Sequence, residues 1–206
     1  MTETKASPSL FDRLGFLASE LVLGLLIGTL SVGTAASSYQ SSMSDSDQTK
    51  YNVQAMQKLT NANADYLTAN QDIIQDYTYY DSFYLNQDKP DLSEYYKANF
   101  SPELTAGMAR SETEPFDETY YTAMYAGPNQ TFDEADKLFK LAEDFNTRGD
   151  QFQLVVLVTA VGLAFAAWAS LLDEKKKIRL LFGALSIITF VIAIYVYLQI
   201  PAAPVV

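Results

Sequence analysis

Residues 151–200 read QFQLVVLVTA VGLAFAAWAS LLDEKKKIRL LFGALSIITF VIAIYVYLQI. Two apolar runs, Phe152 to Leu172 and Ile178 to Ile200, flank a short charged connection that begins at Asp173 and Glu174. Each run matches the ~20 residues that a helix needs to cross the hydrocarbon core of a bilayer. A third run, Leu14 to Ala36, stands near the N-terminus. The pattern predicts an all-α protein with three transmembrane helices, over residues 14–36, 151–172 and 178–200, and a large helical domain inserted between the first two. The remaining parts are a tail at 1–13, the domain at 37–150, a loop at 173–177 and a tail at 201–206.

Charge separates the inserted domain from the spans. Of a formal net charge of −11 over 206 residues, the segment 37–150 carries more than the whole, with 20 acidic and 8 basic side chains. A surface that negative repels nucleic acid, which is recognised through Lys and Arg on phosphate. The partners expected are the lipid bilayer and other membrane subunits or further copies of the chain. Cysteine and histidine are both absent. Disulfides, thiol catalysis, Cys/His metal sites and Ser-His-Asp chemistry are therefore closed to this chain alone. No catalytic residue, cofactor site or metal site is expected, and the chain is not expected to be an enzyme.

Lys175, Lys176, Lys177 and Arg179 in one short loop mark the cytoplasmic side by the positive-inside rule. Lys5 and Arg13 place the N-terminal tail on the same side. The expected location is the plasma membrane, with the N-terminus inside and the large loop and C-terminus outside. Thr34-Ala35-Ala36 would suit a signal-peptide cleavage site, but the apolar run is long for one and contains Glu20, so an uncleaved anchor is expected.

The serine-rich stretch 37–47 reads as a linker or helix cap, with Ser44 or Asp45 as N-cap. From Asp47 to Leu85 a helical stripe runs through Val53, Met56, Leu59, Ala62, Tyr66 and Ala69, then on to Ile73, Tyr77, Tyr80 and Tyr84. Pro90 ends it. Short helices are expected over 91–99 and 102–110, the second with Ser101 as cap and Pro102 in the first position. Turns around a short helix at Tyr120–Met124 lead to Thr131-Phe132-Asp133-Glu134, which reads as a capping box. A helix over about 132–172 should follow, softened only at Gly149, antiparallel to the helix over 47–85.

Glu20 is the one acid inside a span, a costly placement that suggests either a structural role or proton and ion handling. Gly24 and Gly28 form a GxxxG, and Ala160 and Ala164 give the second span a similar small surface. Such faces serve packing among the spans of one chain or docking onto a partner. Twelve of the fourteen tyrosines fall between Tyr39 and Tyr125. Tyr77, Tyr80, Tyr84, Tyr95, Tyr96, Tyr120 and Tyr121 are either the core of a leucine-poor domain or an interface. The acidic turns around Asp88 and Glu112 lack the EF-hand pattern and read as solvated faces. Asn99-Phe100-Ser101 and Asn129-Gln130-Thr131 match the N-glycosylation acceptor pattern.

The run from Ala135 to Ala142, then Gly149-Asp150-Gln151-Phe152-Gln153-Leu154 and a span pair ending at Ile200-Pro201, resembles prokaryotic three-span membrane proteins of the DUF4337-like kind. The resemblance covers mainly residues 130–201. It implies the topology of one span, a helical extracytoplasmic segment and two closing spans, and it transfers no site residues. The expected function is that of an accessory or scaffold subunit presenting a helical domain for assembly. The alternatives are an oligomeric channel or transporter component using Glu20 and the small-residue faces, and an extracytoplasmic binding or sensor module.

Overall fold

The computed structural model describes residues 15–173 and 177–204. Among these residues the chain is helical with no strand. After a 3-10 turn at Gly15–Ala18 come α1 (Glu20–Leu85), α2 (Pro90–Lys97), α3 (Pro102–Arg110), α4 (Glu118–Met124), α5 (Ala126–Ser170) and α6 (Lys177–Gln199). Three of them, α1, α5 and α6, are long and apolar enough to cross a membrane, which fits a multi-pass membrane protein. The chain divides into two compact units: a span unit, up to residue 49 and from 141 onward, and a tyrosine-rich unit over 50–140.

In the span unit the serine-rich stretch is neither linker nor cap. It is the interior of α1, and Ser37, Ser41 and Ser44 are buried. Their small size lets a neighbouring helix close in. Ser41 Oγ donates to the Gly149 carbonyl at 3.2 Å, and Thr34 Oγ1 donates to Thr159 Oγ1 at 2.8 Å. Gly149, expected as a soft point, is a place of close approach. A Cβ there would stand 2.7 Å from Asp45 Oδ1 and 3.4 Å from Ser44 Cβ. Gly162 plays the same part against α6: Ser186 Oγ donates to its carbonyl at 2.9 Å, and a Cβ would come within 2.5 Å of Thr189 Oγ1.

Two arginines tie the helix ends of this unit. Arg148 donates through Nε to the Pro201 carbonyl and through its guanidinium NH1 to Ser44 Oγ, both at 3.3 Å, and lies 4.9 Å above the Phe152 ring. Arg179 is only 3% exposed and donates to the carbonyls of Ala18 at 2.9 Å and Leu172 at 2.8 Å. It is thus buried against chain ends instead of standing among surface charges. Its stem and planar fork suit the task of reaching two carbonyls that no helix partner satisfies.

The tyrosine-rich unit has an aromatic core. Ile73, Leu104, Met108 and Tyr120 are buried at its centre, with Phe83, Phe100, Phe116 and Tyr80 packed around them. Ser101 caps α3 by accepting from the Leu104 N–H at 2.9 Å, with Pro102 in the first helical position, as the spacing indicated. Asp117 caps α4 in the same way through the Tyr120 N–H at 2.8 Å. A methyl group at Gly107 would overlap the Pro115 carbonyl, so the α3–α4 connection rests directly on the α3 backbone.

Two sequence expectations fail in this unit. The buried stripe of α1 runs through Tyr51, Ala55, Ala62, Ala69 and Ile73, while Val53 and Met56 are 52% and 55% exposed. Alanine occupies the contact because two helix backbones come closest over small residues. The capping box is also absent. Helix α5 starts at Ala126, since Pro128 falls in its first turn, where a missing N–H costs nothing. Thr131 Oγ1 instead donates to the Gly127 carbonyl at 3.2 Å, and Glu134 accepts from Lys58 Nζ at 2.5 Å.

Candidate functional site

The sequence-chosen residues sort into three places. Glu20 is the first residue of α1 and exposed, just after Ser19, whose Oγ accepts from the Val22 N–H at 3.4 Å. An acid in a helix's first turn complements the positive end of the macrodipole, so the position explains itself without a relay. Lys177 begins α6 and is exposed, whereas Lys175 and Lys176 lie outside the described residues.

Gly24 and Gly28 have nothing within 4 Å of where a Cβ would stand. The three helices of the span unit therefore do not use the GxxxG to pack on one another. Ala160 and Ala164 are exposed as well; α5 buries Val155, Thr159, Gly162 and Ala166 in their stead. Farther along the span unit lies an apolar groove of about 250 Å³, lined by Leu30, Gly33, Thr159, Ala193, Ile194 and Tyr197 but by neither Gly24 nor Gly28. Of the two uses that the sequence left open for these small residues, packing among the spans of one chain is not seen at Gly24 and Gly28.

The tyrosines divide. Tyr120 is 1% exposed, while Tyr84 and Tyr95 are each 60% exposed. Tyr80 and Tyr121 pack on the core, and the Tyr77 ring meets Phe116 at a tilt, with centroids 4.2 Å apart. Tyr96 touches Tyr79 and Tyr95 at centroid distances of 6.4 and 5.5 Å. Three of the seven, Tyr80, Tyr120 and Tyr121, therefore belong to the core, while Tyr77, Tyr84 and Tyr95 are exposed.

The residue that organises this unit is Asp76, which the sequence reading passed over. It is 2% exposed. Its carboxylate accepts from the Ser101 N–H at 3.0 Å, from Ser101 Oγ at 2.5 Å and from the Tyr120 hydroxyl at 2.8 Å. One side chain thus joins α1, the cap of α3 and the centre of α4. The signal was present as an acid on an otherwise apolar helix face, three residues after Ile73. Asp76 also lines a cleft of about 440 Å³ with Asp65, Asp72, Asn99, Ser101 and Glu103. Among the described residues no three acidic side chains gather as a metal site would require. With its carboxylate accepting from three donors, Asp76 acts as a latch between these elements.

Nearby groups titrate far from their usual range. Burial, then the Asp76 hydrogen bond, raises the Tyr120 phenol. The hydrogen bond with the Tyr77 hydroxyl, followed by burial, pushes Tyr121 up to about 12. The paired Arg110 guanidinium, bonded at 2.7 Å through two nitrogens, brings Asp117 down to about 2. For the two phenols the neutral form is favoured by folding. Their contribution is complete below pH ~10, the ordinary tyrosine value; that of Tyr121 is lost as pH rises through about 12, and that of Tyr120 is likewise lost above its ordinary value. An ultraviolet alkaline titration is expected to show a late phase, above the ordinary tyrosine value of ~10, to which Tyr120 and Tyr121 contribute. A Tyr121→Phe variant that left the late phase unchanged would contradict this assignment.

Neither a family model, nor a curated protein, nor a solved structure matches this chain.

Proposed function

We propose that the chain is a non-enzymatic integral membrane subunit that presents its tyrosine-rich unit for protein–protein assembly. The observation that carries this reading is the open GxxxG. Gly24 and Gly28 sit in an apolar helix, have no described atom of another element within 4 Å of where a Cβ would stand, and leave a backbone surface on which another helix can close. In this reading the basic loop around Lys177 is cytoplasmic, residues 37–150 lie outside the plasma membrane, and the C-terminal tail ends outside. The topology-level resemblance to DUF4337-like proteins agrees with that layout. A conducting oligomer is less favoured, because its one candidate intramembrane acid, Glu20, stands at the helix start where its charge is ordinary.

Gentle detergent extraction followed by native mass measurement tests the proposal. The wild-type chain is expected in a complex larger than one copy. Gly24→Ile with Gly28→Ile should dissociate that complex without unfolding the chain, since both positions face open space. A chain that is monomeric from the start, or a complex indifferent to both substitutions, would overturn it.

A further inference from the structure

The apolar groove of the span unit has Val155 and Thr159 of α5 as its buried floor and Ile194 and Tyr197 of α6 as an exposed wall. Its other wall is α1, where Gly33 and Ala36 are too small to fill it. Ser37, on that same wall, is only 2% exposed, and its Oγ makes no hydrogen bond among the described residues. The threonines around it are satisfied: Thr29 donates to the Leu25 carbonyl and Thr159 to that of Val155, each at 2.8 Å. A buried hydroxyl without a partner is costly. Ser37 therefore calls for an acceptor that enters the groove.

Depth along the helix says what that acceptor is. At 1.5 Å per residue from Glu20, Ser37 stands ~25 Å along α1 and Ser44 ~36 Å. With a hydrocarbon core of ~30 Å and headgroup layers of roughly 5–7 Å, Ser37 falls near the lipid ester level and Ser44 among the headgroups. At that second level Arg148 bridges the three helix ends, through Ser44 of α1 and the Pro201 carbonyl beyond α6. Its guanidinium lies over Phe152, whose ring meets Tyr197 of the groove wall at 6.1 Å. Those two bonds use Nε and Nη1. Nη2 donates to nothing, and Arg148 forms no ion pair, among the described residues. A guanidinium with donors to spare suits a phosphate. Asp45 beside Gly149, and Asp144 one turn before Arg148, make the surroundings acidic and oppose a headgroup of net negative charge. The groove itself admits one flexible hydrocarbon chain but not a helix ~10 Å across, and water gains little in an apolar cavity.

We propose that this groove binds one zwitterionic phospholipid of the surrounding bilayer. Its acyl chain fills the groove, an ester carbonyl accepts from Ser37 Oγ, and its phosphate accepts from Arg148. Lipid binding here is independent of assembly through Gly24 and Gly28, neither of which lines the groove. The full chain, reconstituted into nanodiscs of equal phosphatidylcholine and phosphatidylglycerol and released for native mass measurement, is expected to retain one phosphatidylcholine per copy. Gly33→Leu fills the groove and should lower that retention more than about tenfold; no atom lies within 4 Å of a Cβ at Gly33, so the helix accepts the side chain. Ser37→Ala removes only the hydroxyl and should lower retention about fivefold, as one neutral hydrogen bond implies; it carries the test if Gly33→Leu does not fold. A wild-type chain free of lipid, or retention indifferent to both substitutions, overturns the proposal. Equal or greater retention of phosphatidylglycerol also overturns it, as does a lipid-free dimer that Gly33→Leu splits, which would give the groove to a second copy.

Discussion

Replacing Asp76 with alanine is expected to lower the stability of the tyrosine-rich unit by about 3 kcal/mol, out of the roughly 5–15 kcal/mol typical of a domain. Three donors lose their acceptor at once: the Ser101 N–H, the Ser101 hydroxyl and the Tyr120 hydroxyl. Hydrogen bonds to a charged group contribute about 1.5–3 kcal/mol each, and the released desolvation cost of the carboxylate returns part of the sum. The effect should be spatially confined. The one tryptophan, Trp168, belongs to the span unit, where it packs on Phe182 at 5.5 Å, so its fluorescence follows that unit. Near-ultraviolet circular dichroism is dominated by tyrosine in the other. The tyrosine transition should fall by more than about 10 °C, given ~4–8 °C per kcal/mol for a domain of this size, while the tryptophan transition holds. Asp76→Asn keeps one carbonyl acceptor and should cost about half as much. An unmoved tyrosine transition in Asp76→Ala would show that the three bonds do not hold the unit together.

The features legible in the sequence were those decided within a few residues. Pro90 after the end of α1, the Ser101-Pro102 start of α3 and the apolar composition of α1, α5 and α6 are each fixed by local chemistry, and the structure has them where the sequence put them. The features that were misread depend on a neighbour distant in sequence. Ser37, Ser41 and Ser44 look like a linker until Gly149 is brought beside them, when small polar residues become what allows the contact. Thr131 and Glu134 have the spacing of a capping box, yet Lys58, 76 positions away, takes the carboxylate. The stripe read through Val53 and Met56 followed bulk, whereas the helices met over Ala55, Ala62 and Ala69.

The same distinction governs the candidate surfaces. Spacing alone identified Gly24 and Gly28 as packing residues but left open which helix they serve; only the empty space around them points outward. Spacing likewise identified the tyrosines without separating the buried Tyr120 from the exposed Tyr95. Asp76 stands out only as an acid on an otherwise apolar helix face, which carries no local signature of its three donors.

Arg179 is the second place where one side chain decides a large effect, and Arg179→Ala is expected to destabilise the end of the span unit where it sits by about 3 kcal/mol or more. It joins two carbonyls that are 161 and 7 positions away, Ala18 in the 3-10 turn and Leu172 just past α5. In an apolar setting with no competing water, a carbonyl left without a donor costs free energy comparable to the bond itself. Both contacts use the guanidinium fork, so Arg179→Lys, a single compact charge on a flexible stem, should restore no more than part of the loss. Loss of the clamp would free the chain before α1 and after α5 while leaving α1, α5 and α6 packed through Ser41, Gly149 and Gly162. Hydrogen–deuterium exchange in detergent or nanodiscs reads this directly. Peptides covering Gly15–Ser19 and Leu171–Asp173 should exchange about a hundredfold faster in Arg179→Ala, as ~1.4 kcal/mol per factor of ten requires. Peptides around Gly149 and Gly162 should not change. Uniform acceleration across the unit would make Arg179 a general core residue, and no acceleration would mean that the two carbonyls are satisfied without it.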